Sequence, residues 1–285
     1  MPHHDHPEGL AHDLNTLQKR RRALLWLAGA AGVASAPLLA CGGGKATNAT
    51  SGSTGISTAA SAGGTGSDSS ACAVIPEETA GPFPGDGSNS TDSGVANALM
   101  LAGIDRSDIR SSFAGATGAA TGMALTVTLS LVNTESNCGD LAGYAIYLWH
   151  CDAAGRYSMY SDGVAAENYL RGLQVTDSAG RVTFTTIFPG CYPGRMPHIH
   201  FEVYRNLATA TGSANQLKTS QLAFPIATCQ EVYATGGYGA SMANLAQMSF
   251  ADDNVFSDGT SLQMASMTGS ATTGYAAALT VGIAA

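Results

Sequence analysis

The sequence predicts an all-β fold, an antiparallel β-sandwich with long loops and a few short helices. Two observations carry this expectation. Runs that alternate apolar residues with Thr or Ser recur between turn-forming residues, which is the period-2 pattern of half-buried strands. With 35 Gly in 285 residues and only 12% charged side chains, long surface helices that depend on Glu, Lys, Arg and Leu are disfavoured. A hydrophobic share of 45% still suffices for a folded core.

Residues 124–132 alternate apolar with Thr or Ser, and residues 143–150 form a second β-rich run; Gly139-Asp140 and Asp152-Ala153-Ala154-Gly155 supply turns. Residues 172–176 and 181–187 flank Asp177-Ser178-Ala179-Gly180 and read as a hairpin. Pro189-Gly190 and Pro193-Gly194 bound a short irregular stretch before the strand at 198–204, and residues 276–282 form another strand near the end. Short helices are expected within 206–250, for example over 241–250.

The domain itself is expected over residues 72–285. Ahead of it, Lys19, Arg20, Arg21 and Arg22 stand directly before an uncharged run over 23–40, the layout of an export signal. Gly29, Gly32 and Pro37 inside that run, and Gly42-Gly43-Gly44 after it, disfavour a permanent membrane helix. Arg21-Arg22-Ala23-Leu24-Leu25 resembles a twin-arginine signal, and Leu38-Leu39-Ala40-Cys41 resembles a lipobox in which Cys41 becomes the lipid-bearing residue. Residues 41–71 are rich in Gly, Ser, Thr and Ala, too apolar-poor to offset chain ordering, and are expected to be a flexible tether. These features place the protein in the cell envelope, periplasmic or lipid-anchored, or outside the cell. Without residues 1–40 the chain keeps nine Lys and Arg against eighteen Asp and Glu. An acidic surface of this kind argues against nucleic acid as a partner. Five cysteines then remain, Cys72, Cys138, Cys151, Cys191 and Cys229, and in an oxidising compartment two bridges and one free thiol are expected. The absence of C-x-x-C disfavours a cysteine-bound zinc.

Only His150, His198 and His200 remain in the exported part. In a strand, residues two apart share a face, so His198 and His200 point together and make half a metal site. Two side chains compete to complete it. Glu202 lies on the same face and would give a two-histidine, one-carboxylate site for ferrous iron or zinc. Tyr192 lies just upstream with Arg195. A phenol, with a pKa near 10, needs a strongly Lewis-acidic ion to be deprotonated at neutral pH, and ferric iron is the hard cation suited to it.

Four blocks in this order resemble the intradiol ring-cleavage dioxygenases: Pro76-Glu77-Glu78-Thr79-Ala80-Gly81-Pro82-Phe83; residues 148–158 around Gly155-Arg156-Tyr157; residues 169–177 beginning Tyr169-Leu170-Arg171-Gly172; and residues 186–200 around Pro189-Gly190-Cys191-Tyr192 and His198-Ile199-His200. The resemblance implies an Fe(III) ion held by Tyr157, Tyr192, His198 and His200, with no organic cofactor. It implies that Tyr192 is displaced when a catechol binds and takes up a substrate proton, that Tyr157 stays bound, and that Arg195 stands beside the substrate ring. The partners implied are a catechol-like small molecule and O2, and the product is a muconate-type diacid. Cys191 departs from the many relatives with a bulkier residue there; it either enters a bridge or widens the pocket.

Plainer roles are expected nearby: packing for Trp149 and His150, turn formation for Asp152 and Asp177, a strand face or pocket wall for Gln174, and a border of the substrate mouth for Tyr160 and Tyr169. The rival functions are an exported carbohydrate-binding or metal-binding β-sandwich module without turnover.

Overall fold

The computed structural model describes residues 72–285; the export segment, Cys41 and the tether expected up to residue 71 lie outside the described residues. A hairpin of β1 (Asp86–Thr91) and β2 (Gly94–Asn97) precedes two larger sheets. The first contains β3 (Ala124–Asn133), β4 (Gly139–Asp140), β7 (Arg181–Ile187), β10 (Ser266–Ser270) and β11 (Gly274–Ile283). The second is ordered β6-β5-β8-β9, with β5 (Ala145–Trp149), β6 (Arg171–Val175), β8 (His198–Tyr204) and β9 (Gln216–Ala223). Two short helices follow β9, α1 (Ile226–Tyr233) and α2 (Ser241–Leu245). The β-sandwich is therefore the observed fold, with one parallel pair among its named strands: β11 runs parallel to β3.

The expected hairpin over 172–187 is corrected. Its turn forms, with the Gly180 amide donating to the Asp177 carbonyl, but β6 and β7 join different sheets. Each side of the turn is already committed elsewhere: the Thr176 amide donates to the Tyr144 carbonyl and the Leu131 amide to the Gly180 carbonyl. The segment crosses from one layer to the other.

Between the sheets, Leu125, Val127, Leu129 and Leu131 of β3 and Phe184 of β7 meet Ile146 and Leu148 of β5 and Ile199, Phe201 and Val203 of β8. A second cluster covers the outer face of the β6-β5-β8-β9 sheet, where Tyr147, Trp149, Leu173 and Tyr204 lie under Leu99, Ile104 and Tyr157. This sheet is buried on both faces, which is why β5 and β8 are buried along their whole length instead of alternating with solvent. An extended N-terminal arm helps to cover it. A Cys72–Cys138 disulfide fixes the root of that arm, the Ile75 amide donates to the Gly282 carbonyl, and the Glu78 amide donates to the Thr219 carbonyl.

The cysteine expectation is also corrected. Among the described residues there is one bridge, and Cys151, Cys191 and Cys229 are free and buried. Each of the first two thiols has its own partner in the interior: Cys151 Sγ donates to the Gly190 carbonyl and Cys191 Sγ to the Arg195 carbonyl, both at 3.5 Å. Cys191 is thus unbridged and packs into the core between the sheets.

Candidate metal centre

The site is built on one row of the doubly buried sheet. Pairing places Arg171 of β6 beside Trp149 of β5, Trp149 beside His200 of β8, and His200 beside Gln221 of β9. The Trp149 and His200 rings stack at 4.9 Å with planes 6° apart, so the tryptophan fixes the imidazole from below. His198 lies one step along the same strand face.

Two loops bring the tyrosines over this row. Asp152 Oδ1 accepts from the Ala154 and Arg156 amides, and Oδ2 meets the Arg156 guanidinium at 2.8 Å; this organises the turn that delivers Tyr157. The loop carrying Tyr192 packs backbone to backbone against it at Gly190, where a Cβ would lie 2.7 Å from the Ala153 carbonyl and 2.8 Å from that of Asp152. Only glycine allows that approach.

The four side chains expected at the site converge. The Tyr157 hydroxyl is 3.4 Å from the Tyr192 hydroxyl and 3.4 Å from His198 Nε2. The Tyr192 hydroxyl and His200 Nε2 each lie 3.1 Å from His198 Nε2. Two donors held about 2.0–2.1 Å from one ion at a tetrahedral angle would stand roughly 3.3–3.4 Å apart, so this spacing suits a shared cation.

The protonation states agree. His198 Nδ1 donates to the Met196 carbonyl at 2.6 Å, which turns the Nε2 lone pair towards the phenols. Burial, and then repulsion from Arg195, holds both imidazoles well below their ordinary pKa, so they are neutral donors at neutral pH. Burial and the neighbouring Tyr192 push the Tyr157 phenol well above its ordinary value. A proton therefore leaves that oxygen only for a strongly charged replacement, such as a hard metal cation.

The competing carboxylate does not join them. Glu202 is turned to the Tyr204 hydroxyl, which donates to it at 2.7 Å, and burial and Asp86 raise its pKa to about 8. Among the described residues, no three or more His, Cys, Asp or Glu side chains are grouped to hold a metal. The donor set that the fold assembles is two phenols and two imidazoles.

Arg195 is buried, and although burial lowers its pKa, Tyr192, Asp253 and Tyr157 together outweigh that and hold the guanidinium above its ordinary value. Its Nε meets both Asp253 carboxylate oxygens at 3.1 and 3.0 Å, and its Nη2 donates to Gln221 Oε1 at 2.6 Å. Gln221 Nε2 in turn donates to the Thr79 carbonyl of the arm at 2.9 Å. Two residues further on, Gly81 has φ +69°, and a Cβ there would lie 3.4 Å from His200 Cε1.

With the geometry established, known proteins supply a comparison. A dioxygenase family model matches residues 102–225, which include Tyr157, Tyr192, Arg195, His198, His200 and Gln221. The fold resembles the intradiol ring-cleavage dioxygenase of Tetranychus urticae with a TM-score of 0.56 and 26% identity, covering 74% of this chain and 95% of that one. The likeness is to dioxygenases. Catechol 1,2-dioxygenase of Candida albicans is 35% identical over 60 residues, 21% of this chain; the match spans 20%, about a fifth, of that relative's length.

The dioxygenase-like site also contains residues that sequence reasoning missed. Asp253 and Gln221 hold Arg195, and Thr79 and Gly81 bring the arm onto His200. The available signals were a lone amide inside the apolar end of β9 and a Thr-x-Gly-Pro turn in the arm; neither points to a partner by itself. The expected turn roles hold, with Asp177 Oδ1 accepting from the Ala179 and Arg181 amides. His150 is a packing residue, bonded through Nδ1 to the Cys151 carbonyl and through Nε2 to Thr186. Gln174 is half-buried on β6. Tyr169 donates to Asp152, and Tyr160 donates to Asn89 at 2.7 Å while its ring packs on Phe83.

Proposed function

We propose that the protein is an exported non-haem Fe(III) dioxygenase of the intradiol type, which uses O2 to open a catechol-type ring between its two oxygenated carbons and yields a muconate-type diacid. The convergence of two phenol oxygens and two imidazole nitrogens within 3.1–3.4 Å carries this reading. Tyr157, Tyr192, His198 and His200 would hold the metal, and the dioxygenase likeness over residues 102–225 spans all four. Ferric iron, when bound, supplies a site where the catecholate and O2 react.

The remaining chemistry falls to the chain itself. Tyr157 is buried and packed against Phe83 at 5.0 Å between ring centres, which suits a donor that stays in place. Tyr192 is only half-buried, on a loop, and suits the donor that gives way to substrate. Its released phenol oxygen is then placed to take up a proton from the catechol. The guanidinium of Arg195, held by Asp253 and Gln221, offers fixed positive charge to the negative charge that develops on the ring. The arm at Gly81 closes over His200 and keeps bulk water from that side.

Oxygen uptake by iron-replete protein tests this reading. With a panel of catechol, hydroxyquinol and protocatechuate, at least one substrate should consume one O2 per ring and give a ring-opened diacid. Failure across the panel would leave a module without turnover. Export and lipid attachment belong to the same proposal; mass spectrometry of mature protein should find Cys41 at the N-terminus carrying a lipid, whereas an unmodified Cys41 would refute the lipid and an uncleaved chain beginning at residue 1 would refute the export signal.

A further inference from the structure

Arg171 is a buried cation whose five N–H bonds all go to neutral oxygens. Nε donates to Ser158 Oγ at 3.2 Å, Nη1 to the Pro84 carbonyl at 2.6 Å and the Tyr147 hydroxyl at 3.1 Å, and Nη2 to the Phe83 carbonyl at 3.0 Å and the Ser158 carbonyl at 2.9 Å. A guanidinium taken out of water without a carboxylate is costly, and such a group persists where its fork of donors organises other segments. Here it joins two segments far apart in sequence. One is the arm at Phe83 and Pro84; the other is the turn directly after Tyr157.

We propose that Arg171 is a positioning residue for Tyr157, tying the turn that carries the phenol to the arm segment whose Phe83 ring packs against it. Three further observations support this. The row that carries His200 has Arg171 at one end and Gln221 at the other, and each end holds the arm: Gln221 at the Thr79 carbonyl, Arg171 at the Phe83 and Pro84 carbonyls. Gly81, between these two pins, is the residue that backs onto His200. The two residues next to the tie, Met159 at φ +71° and Leu170 at φ +58°, occupy the left-handed region that bulky side chains avoid, so the surrounding contacts must over-determine them. Lysine could not replace this function, having three donors on one nitrogen and no planar fork.

The proposal depends on the dioxygenase reading only for its metal readout, so the test uses one measurement with metal and one without. Hydrogen exchange of the full chain, disulfide intact and iron-free, is compared for wild type and Arg171→Lys. Exchange should rise about tenfold or more in both 79–85 and 157–161 while the β3, β7 and β11 amides stay protected. Tyr147→Phe, which removes one bond to Arg171 and the Tyr147 bond to Pro84, should raise exchange in the arm by less, and it serves should Arg171→Lys not fold. On loading with Fe(III), Arg171→Lys should bind iron about 10–100-fold more weakly and show a shifted visible band. Unchanged exchange in either segment, or a uniform rise across the domain, overturns the proposal. If wild type takes up no iron, the dioxygenase reading fails and the exchange result still decides the role of Arg171.

Discussion

Strand β8 has two faces with equal burial and opposite chemistry. Ile199, Phe201 and Val203 enter the core between the sheets, whereas His198, His200, Glu202 and Tyr204 face outward beneath the arm and loops, and every one of these residues is at most 2% exposed. The inner face is satisfied by packing alone. The outer face meets oxygen and nitrogen groups of the loops over it: Met196 and Tyr192 from the turn just before the strand, and Tyr157 from a segment 41 residues before His198. The contrast teaches that burial says little about role: removing a side chain inside should cost stability, and removing a donor outside should cost chemistry.

That contrast breaks if substitutions on the two sides act alike. The largest effect is expected for Tyr157→Phe, which keeps the ring and its contact with Phe83 but loses the hydroxyl. Ring opening, measured as O2 uptake, should fall about a thousandfold, on the order of 4 kcal/mol in barrier, with little change in urea stability. On the inner face, Phe201→Ala should destabilise by about 3–5 kcal/mol in urea unfolding while the folded fraction retains iron. Asp253→Ala mixes the two behaviours, because it strips Arg195 of its buried carboxylate; a stability loss of about 3–5 kcal/mol and slower ring opening should appear together.

A smaller effect sharpens the comparison on the arm. Burial, and then Asp258, raises the Glu78 carboxyl to about 7, with Gln263 and Arg195 acting in the opposite direction. The fold therefore favours its protonated form. Its contribution to stability is full below the unfolded value of 4.5 and is lost as pH rises through about 7. Glu78→Gln should match wild type near pH 4.5 and be more stable by about 2 kcal/mol at pH 8, measured by urea unfolding at both pH values. The smallest effect belongs to the surface: Arg110→Ala removes an exposed pair with Asp108 and should change stability by less than about 1 kcal/mol.

The strands that alternate or cluster apolar residues were legible in the sequence. The expected run at 181–187 is β7 and that at 198–204 is β8, residue for residue, and β3 extends one residue beyond its expected end. The weakly apolar elements were not: β1 and β10 are dominated by Gly, Ser, Thr and Asn, β2 is only four residues long, and β9 carries mostly polar residues over Gln216–Gln221. The false hairpin over 172–187 shows the limit of local reasoning, since turn residues fix a bend but not which sheet each strand joins. At the site, the paired histidines followed from period-2 geometry, and Tyr157 was found only through family resemblance. Asp253 escaped because nothing local links it to Arg195, 58 residues earlier in the chain.

The most direct test of the centre is a titration of purified protein with Fe(III), followed in the visible spectrum on wild type, Tyr157→Phe and Tyr192→Phe. Two phenolates on one ferric ion should give a charge-transfer band that saturates at one equivalent and weakens in each variant. No band at one equivalent, or a band that neither substitution changes, would contradict the account.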